Sequence, residues 1–403
     1  MNSTKDSTRV ASRLRAPARA LALAFAVAAF ASAPQDAVAG NREQAKRMYD
    51  RLTGTPPSPE VLDSLQQKLD NGISLSDTAL FIMDNTADAR SSAFYSVTLK
   101  NFATPWTNRD RTVFAPLNDY TATVIGMVRD NKDFRGVLSD DILYVGGSGT
   151  YSTANNTMYE TLESTNADLR AVLQERTQSS LNGLPPEATA GVITSRAAAE
   201  AFFIAGTNRA MFRFTLLNHL CRDMEQVHDT SRPPDRIRQD VTRSPGGDSS
   251  VFLNNCIGCH SGMDPMAQAF AYYNFDETTQ QLVYTPGKVQ PKYLINSDNF
   301  KPGYVTPDDQ WDNRWRLPGL NKQIGWSSSL PGKGAGAKSL GEELAHSDAF
   351  AECQVQKVFR TVCFRTPADS TEQGKFDSIV TGFKGNGNLK QVFAQTAAVC
   401  AGN

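Results

Sequence analysis

The sequence predicts a mainly helical fold, and three observations carry that expectation. Apolar residues recur at helical spacing through most of the chain, as at Ala45, Met48, Tyr49 and Leu52. Helix-start signals precede such runs. Ser58-Pro59 reads as an N-cap followed by proline at the first helical position, opening a helix that turns Val61, Leu62, Leu65 and Leu69 inward. Strand signals, by contrast, are few. Residues 282–284 and 292–295, separated by Pro286-Gly287, predict one short hairpin.

The same periodicity predicts helices over 74–86, 88–101, 116–131, 157–176, 195–206 and 208–221. Glycines and asparagines at 145–149 and 155–156 mark an irregular loop, and residues 184–186 (Leu-Pro-Pro) are the candidate linker. Residues 248–255 read as a short helix. Residues 276–337 hold three of the four tryptophans among Gly, Pro, Asp and Asn, a long irregular stretch of the kind that has a job in a compact domain. Helices return from 337 to 365, then with Phe376, Ile379, Val380 and Phe383, and finally with Leu389, Val392, Phe393, Thr396 and Cys400. No internal repeat is found. The length after residue 39 exceeds one comfortable core, so two domains are expected, a helical one over 40–205 and a second over 206–403.

The first 39 residues read as a signal peptide. Arg9, Arg13, Arg15 and Arg19 precede an Ala-rich run from 20 to 33, and Ala37-Val38-Ala39 offers a cleavage site. The run is shorter than the ~20 apolar residues a membrane span needs. No later segment approaches that length, so a mature chain without an integral membrane segment, periplasmic or secreted, is expected. Cleavage removes five cations and two carboxylates and moves the formal charge from −1 to about −4. A mildly acidic chain gives no reason to expect nucleic acid or anionic lipid as partner.

All 6 cysteines lie beyond the signal peptide. Cys221, Cys353, Cys363 and Cys400 suffice for two disulfides in an oxidising compartment. Cys353 and Cys363 stand ten residues apart in one helical stretch, about 15 Å of rise. A disulfide needs Cα atoms within roughly 7 Å. Each should therefore pair with Cys221 or Cys400.

The remaining two sit in Cys256-Ile257-Gly258-Cys259-His260. Two thiols one helical turn apart can each add to a haem vinyl group, and the histidine that follows then faces the iron. A thiol–disulfide site would want a βαβ flank and a zinc site further ligands nearby; neither is evident. Behind a signal peptide, the motif reads as covalent attachment of one haem c, with His260 as proximal iron ligand. Asp264 is expected to cap a new helix, with Pro265 at its first position and Met266, Phe270 and Tyr273 on one face. The carbonyls of the 262–264 turn are the expected acceptors for the other nitrogen of His260. Arg236, Arg238 and Arg243 are candidates to pair with haem propionates.

The sixth iron ligand is not set by any one residue. No methionine follows Met266, and Met263 lies too near His260 to reach the opposite haem face. The candidates are Met211, His219, Met224, His228 and His346, with water as the alternative. His219 shares a helix face with Phe212, Thr215 and Leu216, which suits a core histidine, whereas His228 beside Asp229 stands in a loop. One lookalike is set aside. Residues 332–339 resemble a phosphate-binding loop, but Ala337 replaces the glycine that should precede the lysine and no strand is expected before it, so the run reads as a flexible lead-in to a helix.

In three stretches the sequence resembles the planctomycete-type multi-module c-type cytochromes. Residues 190–194 with Arg209 and Leu220-Cys221 look like the family's helical module. Residues 256–265 followed by 274–276 are similar to its haem module. Residues 350–353 with 365–367 look like its C-terminal module, and residues 49–54 also fit its first helices. The resemblance implies a cytochrome c-like helical haem domain with Cys256, Cys259 and His260 as the haem-binding residues and Asp264 and Pro265 shaping the proximal turn. The segment 280–284 departs from the family's Gly-aromatic-Arg habit. The expected function is electron transfer by a monohaem carrier or redox subunit with a periplasmic redox partner protein, rather than catalysis. The alternatives are a peroxidase- or oxygenase-like haem enzyme with an open iron, or an interaction subunit with a structural haem that binds through residues 41–205.

Overall fold

Helix α1 (Asn41–Thr53) buries Ala45, Met48, Tyr49 and Leu52 on one face, as its periodicity predicts. Ser58 caps α2 (Pro59–Asp70) by accepting the Val61 N–H at 3.3 Å. Leu65 and Leu69 are buried there, with Val61 and Leu62 partly covered. Helix α3 (Leu75–Asp84) is capped by Ser74. The computed structural model describes residues 39–147, 149–237, 250, 252–293, 304–319 and 324–402. The segment expected to be a signal peptide lies outside them up to residue 38, as do Arg238, Arg243 and residues 248, 249 and 251 of the helix expected at 248–255.

Residues 88–101 are helical but not uniform. A 3-10 turn (Ala89–Ser92) and a π-helical turn (Phe94–Leu99) run into one α-helical turn at Lys100–Ala103. Helix α4 (Asp119–Arg129) is buried along almost its whole length. The helix expected over 157–176 is shorter. Helix α5 (Thr157–Ser164) ends where Asn166 takes a left-handed φ of 50°, and the tail of the segment is a strand. That strand, β2 (Leu173–Arg176), pairs antiparallel with β1 (Leu143–Gly146), which occupies the start of the expected loop at 145–149.

Helices α6 (Arg196–Phe202) and α7 (Arg209–Thr215) follow, and α7 continues into a π turn, Leu216–Leu220. Helix α8 (Ile257–Ala267) carries the cysteine–histidine motif, led in by a π turn at Phe252–Cys256. It is one helix with Pro265 inside it, so Asp264 caps no new helix. Proline here falls in the last turn, where only the bond to the carbonyl of Ser261 is lost.

The expected hairpin exists with a different partner. β4 (Gln281–Tyr284) pairs with β3 (Tyr273–Asp276), the reversal being made earlier, with Gln280 at φ 58°; of the partner expected at 292–295, Lys292 and Tyr293 lie in a 3-10 turn and 294–295 lie outside the described residues. A third ladder joins β5 (Gln310–Asp312) to β6 (Lys333–Ala335), so the phosphate-loop lookalike is part strand rather than a flexible lead-in. Helix α9 (Gly336–Ala345) follows it. Ser347 then breaks the stretch expected as continuous, capping α10 (Asp348–Cys363) through the Phe350 N–H at 3.2 Å. Helices α11 (Ser370–Asn386) and α12 (Leu389–Ala401) complete the chain.

The fold is therefore mainly helical, as expected, but packing does not divide near residue 205. The last helix, α12, lies against α1 and α3, and α10 lies against the 216–220 turn, so residues 39–403 form one compact unit. Length alone suggested two cores; the return of the C-terminal helices to the first ones joins them. No helix among the described residues is long and apolar enough to cross a membrane.

Two features brace the fold, one away from α8 and one at its back. Cys221 bonds Cys353 and Cys363 bonds Cys400, with Cα separations of 5.3 and 5.7 Å. These close 132 and 37 residues of chain, worth about 5 and about 4 kcal/mol in the chain-entropy model. Gly258 and Gly262, one helical turn apart, leave room on the back of α8 for the His228 ring and the buried Trp315 indole. A Cβ at Gly262 would lie 1.9 Å from Trp315 Nε1.

Peptide mapping without reduction should recover Cys221 linked to Cys353 and Cys363 linked to Cys400. Recovery of the crossed pairs would contradict this packing. Gly262→Ala should lower thermal stability by about 1–3 kcal/mol through overpacking, measured as a fall in melting temperature; an unchanged melt would show that Trp315 does not hold the position described.

Candidate haem site

Along α8 three i,i+4 pairs divide the helix surface. Gly258 and Gly262 face its packed back, Cys259 and Met263 form a second row, and His260 and Asp264 a third. Cys256 and Cys259 are both free and partly exposed, whereas the other four cysteines are all bonded. Cys259 Sγ approaches the Met224 carbonyl at 3.5 Å. Burial first, then Cys256 and the acidic Glu225 and Asp223, push the Cys259 thiol up.

His260 is held from one side. Its Nδ1 stands 3.2 and 3.3 Å from the two carboxylate oxygens of Asp264, so Nδ1–H donates to that carboxylate. The acceptor is thus a side chain one helical turn on, not a carbonyl of the turn expected at 262–264, because that turn is helix. Asp264 is fully buried and is gripped from α7 by Arg209, whose Nε and Nη2 donate at 2.8 and 2.7 Å. Burial alone would push the Asp264 carboxyl up; Arg209, and next His260, outweigh it and hold the carboxyl well below the usual carboxylate range. Removing one partner from a buried ion pair of this kind costs about 3–5 kcal/mol.

With Nδ1 on Asp264, Nε2 is the nitrogen that would ligate a metal. His260 lines an open groove of about 490 Å³ together with Cys259, Met263, Met224, Arg109 and Arg213. That is within the size range of ligand clefts. The residues fit a covalently attached haem: two free thiols a helical turn apart, a histidine oriented by a buried carboxylate, and a groove beside them with cationic side chains. Among the described residues no three of His, Cys, Asp and Glu converge as a chelating cluster.

The structure sorts the candidate sixth ligands. His219 is buried in the core and not in the groove. It accepts from or donates to Tyr120 Oη at 2.6 Å and packs between Trp106 and Phe350. Burial, then Lys357, holds it well below the ordinary histidine range. His228 packs on Gly258, about 200° around the helix axis from His260. His346 lines a different pocket, with Arg135 and Lys384. Met211 is buried in α7. Met224 alone among the five lines the groove with His260.

Of the arginines expected near propionates, Arg236 instead donates to Gln268 at 2.6 Å and to the Gln310 carbonyl at 2.8 Å. Among the described residues the groove's cations are Arg109, Arg209 and Arg213, the last paired bidentately with Asp223 at 2.7 Å. Arg109 and Arg213 carry no motif in the sequence. Arg209 and Asp264 were legible only as members of a resembling pattern, although the His260–Asp264 spacing is itself that of two neighbours on one helix face. No family model, curated protein or solved structure matches this chain.

Proposed function

We propose that this chain is an exported monohaem c-type cytochrome that transfers electrons with a periplasmic redox partner protein. The observation that carries the reading is the division of the cysteines. Four are paired in disulfides, the chemistry of an oxidising compartment. The two left free are those of the motif, immediately before a histidine whose far nitrogen is tied to a buried carboxylate. Bound haem would supply a one-electron iron couple. Cys256 and Cys259 would hold it through thioether bonds and His260 would ligate the iron. Met224, which lines the groove with His260, would be the side chain available as a further iron ligand. Arg109 is a cationic residue at the groove suited to a propionate, whereas Arg213 is already paired with Asp223. The resemblance to planctomycete-type c-type cytochromes supports the same reading at the residues of α8.

The test is expression with a cytochrome c maturation system. The protein should retain haem after denaturing electrophoresis, and Cys256→Ala/Cys259→Ala should lose it. Its absorption spectrum should be six-coordinate and low-spin. Met224→Ala should turn it high-spin, while Met263→Ala leaves it unchanged. A colourless parent would sink the haem reading. A high-spin parent that binds cyanide readily would favour the enzyme alternative over the carrier.

A further inference from the structure

We infer that Arg209 and Asp264 set the electron donation of His260 to the iron, with Asp264 as a positioning residue that strengthens it and Arg209 as the group that limits it. The inference rests on the haem reading above and deepens it. A histidine whose Nδ1–H donates to a carboxylate gains basicity at Nε2, because the bond shifts the ring toward imidazolate. Here that carboxylate has no exposure to water, and Arg209 and His260 both reach it. Towards Arg209 the contacts are two charge-assisted bonds at 2.8 and 2.7 Å, the fork geometry that matches guanidinium to carboxylate. Towards His260 they are longer, at 3.2 and 3.3 Å, to both oxygens at once. Of these two, Arg209 has the firmer hold on Asp264, and the imidazole makes the longer contacts.

Three features give the arrangement its direction. Arg209 lies on α7 and Asp264 on α8, so the packing of two helices fixes the split rather than a mobile side chain. His260 and Asp264 stand at i and i+4 on one helix, which fixes the distance between them. Next to Arg209, Asn208 Nδ2 donates to the carbonyls of Phe270 and Tyr273 at 2.9 and 2.8 Å, which anchors the start of α7 to the chain just beyond α8. Second-sphere hydrogen bonding is one of the ways a protein tunes a haem potential.

Two substitutions with opposite expected effects test this on the haem-loaded protein. Asp264→Asn removes the charged acceptor. The Fe–histidine stretching band, read by resonance Raman after photolysis of the ferrous carbonyl complex, should fall in frequency and the midpoint potential should rise. Arg209→Lys keeps the positive charge but cannot grip both oxygens, so more carboxylate charge turns to His260. The band should rise and the potential should drop. Each change should be at least tenfold in the reduction equilibrium, about 59 mV for a one-electron couple. A purely structural pair would move both variants the same way, and a through-space charge effect would leave Arg209→Lys and the band unmoved; either result overturns the inference. If Asp264→Asn fails to fold, Arg209→Lys decides alone, and an unchanged band with an unchanged potential overturns it. A parent that carries haem yet shows those failures defeats this inference only, whereas a parent without covalent haem defeats the reading beneath it as well.

Discussion

A carboxylate with no access to water stands at the junction of two helices, and the geometry of the candidate site depends on how it is satisfied. Asp264 would be costly to bury alone. Arg209 meets it with a two-toothed grip, and that grip draws α7 onto α8. His260, one turn back, meets the same carboxylate and is oriented by it. The orientation of the one histidine in the motif is therefore a consequence of an ion pair whose partners are 55 residues apart in sequence.

The rest of the fold acts as a frame for that junction. The back of α8 is fixed by close packing, since Gly258 and Gly262 let an imidazole and an indole approach where any larger residue would push them away. Asp229 N–H donates to the Gly258 carbonyl at 2.9 Å, and Arg232 reaches from the same loop to the Arg314 carbonyl at 3.2 Å. The stretch around Trp315 is thus bound to the loop that covers the start of α8. Farther out, the Cys221–Cys353 bond ties the end of the turn after α7 to α10, and Cys363–Cys400 ties α10 to α12. Each layer restrains the one inside it.

Local chemistry made much of this legible in the sequence. Ser58-Pro59 and the 3.6-residue spacing in α1 and α2 act within a few residues, so they read correctly. The absence of a Cys353–Cys363 bond followed from the length of a helix, though which of them pairs with Cys221 did not, and the Phe212, Thr215 and Leu216 face marked His219 as a core side chain. What was missed depends on distant or competing contacts. Asp264 before proline looks like a cap, and only the burial of α8 between α7 and Trp315 makes it continue as helix. β4 has too few residues to declare its partner, and the early reversal at Gln280 chose β3. The strand at Leu173–Arg176 was hidden by residues that also suit a helix. No local signal marks Arg109 or Arg213, because they reach the groove through tertiary packing alone.

The central claim is a covalent bond between the chain and one haem at Cys256 and Cys259, and mass mapping addresses it most directly. The mature protein, made in a host with cytochrome c maturation, would be digested with trypsin and the peptide spanning residues 244–288 weighed. The account predicts that this peptide carries the mass of one haem, with the bound group at the two cysteines. Recovery of the same peptide with free thiols or a Cys256–Cys259 disulfide, and no added mass, would contradict it.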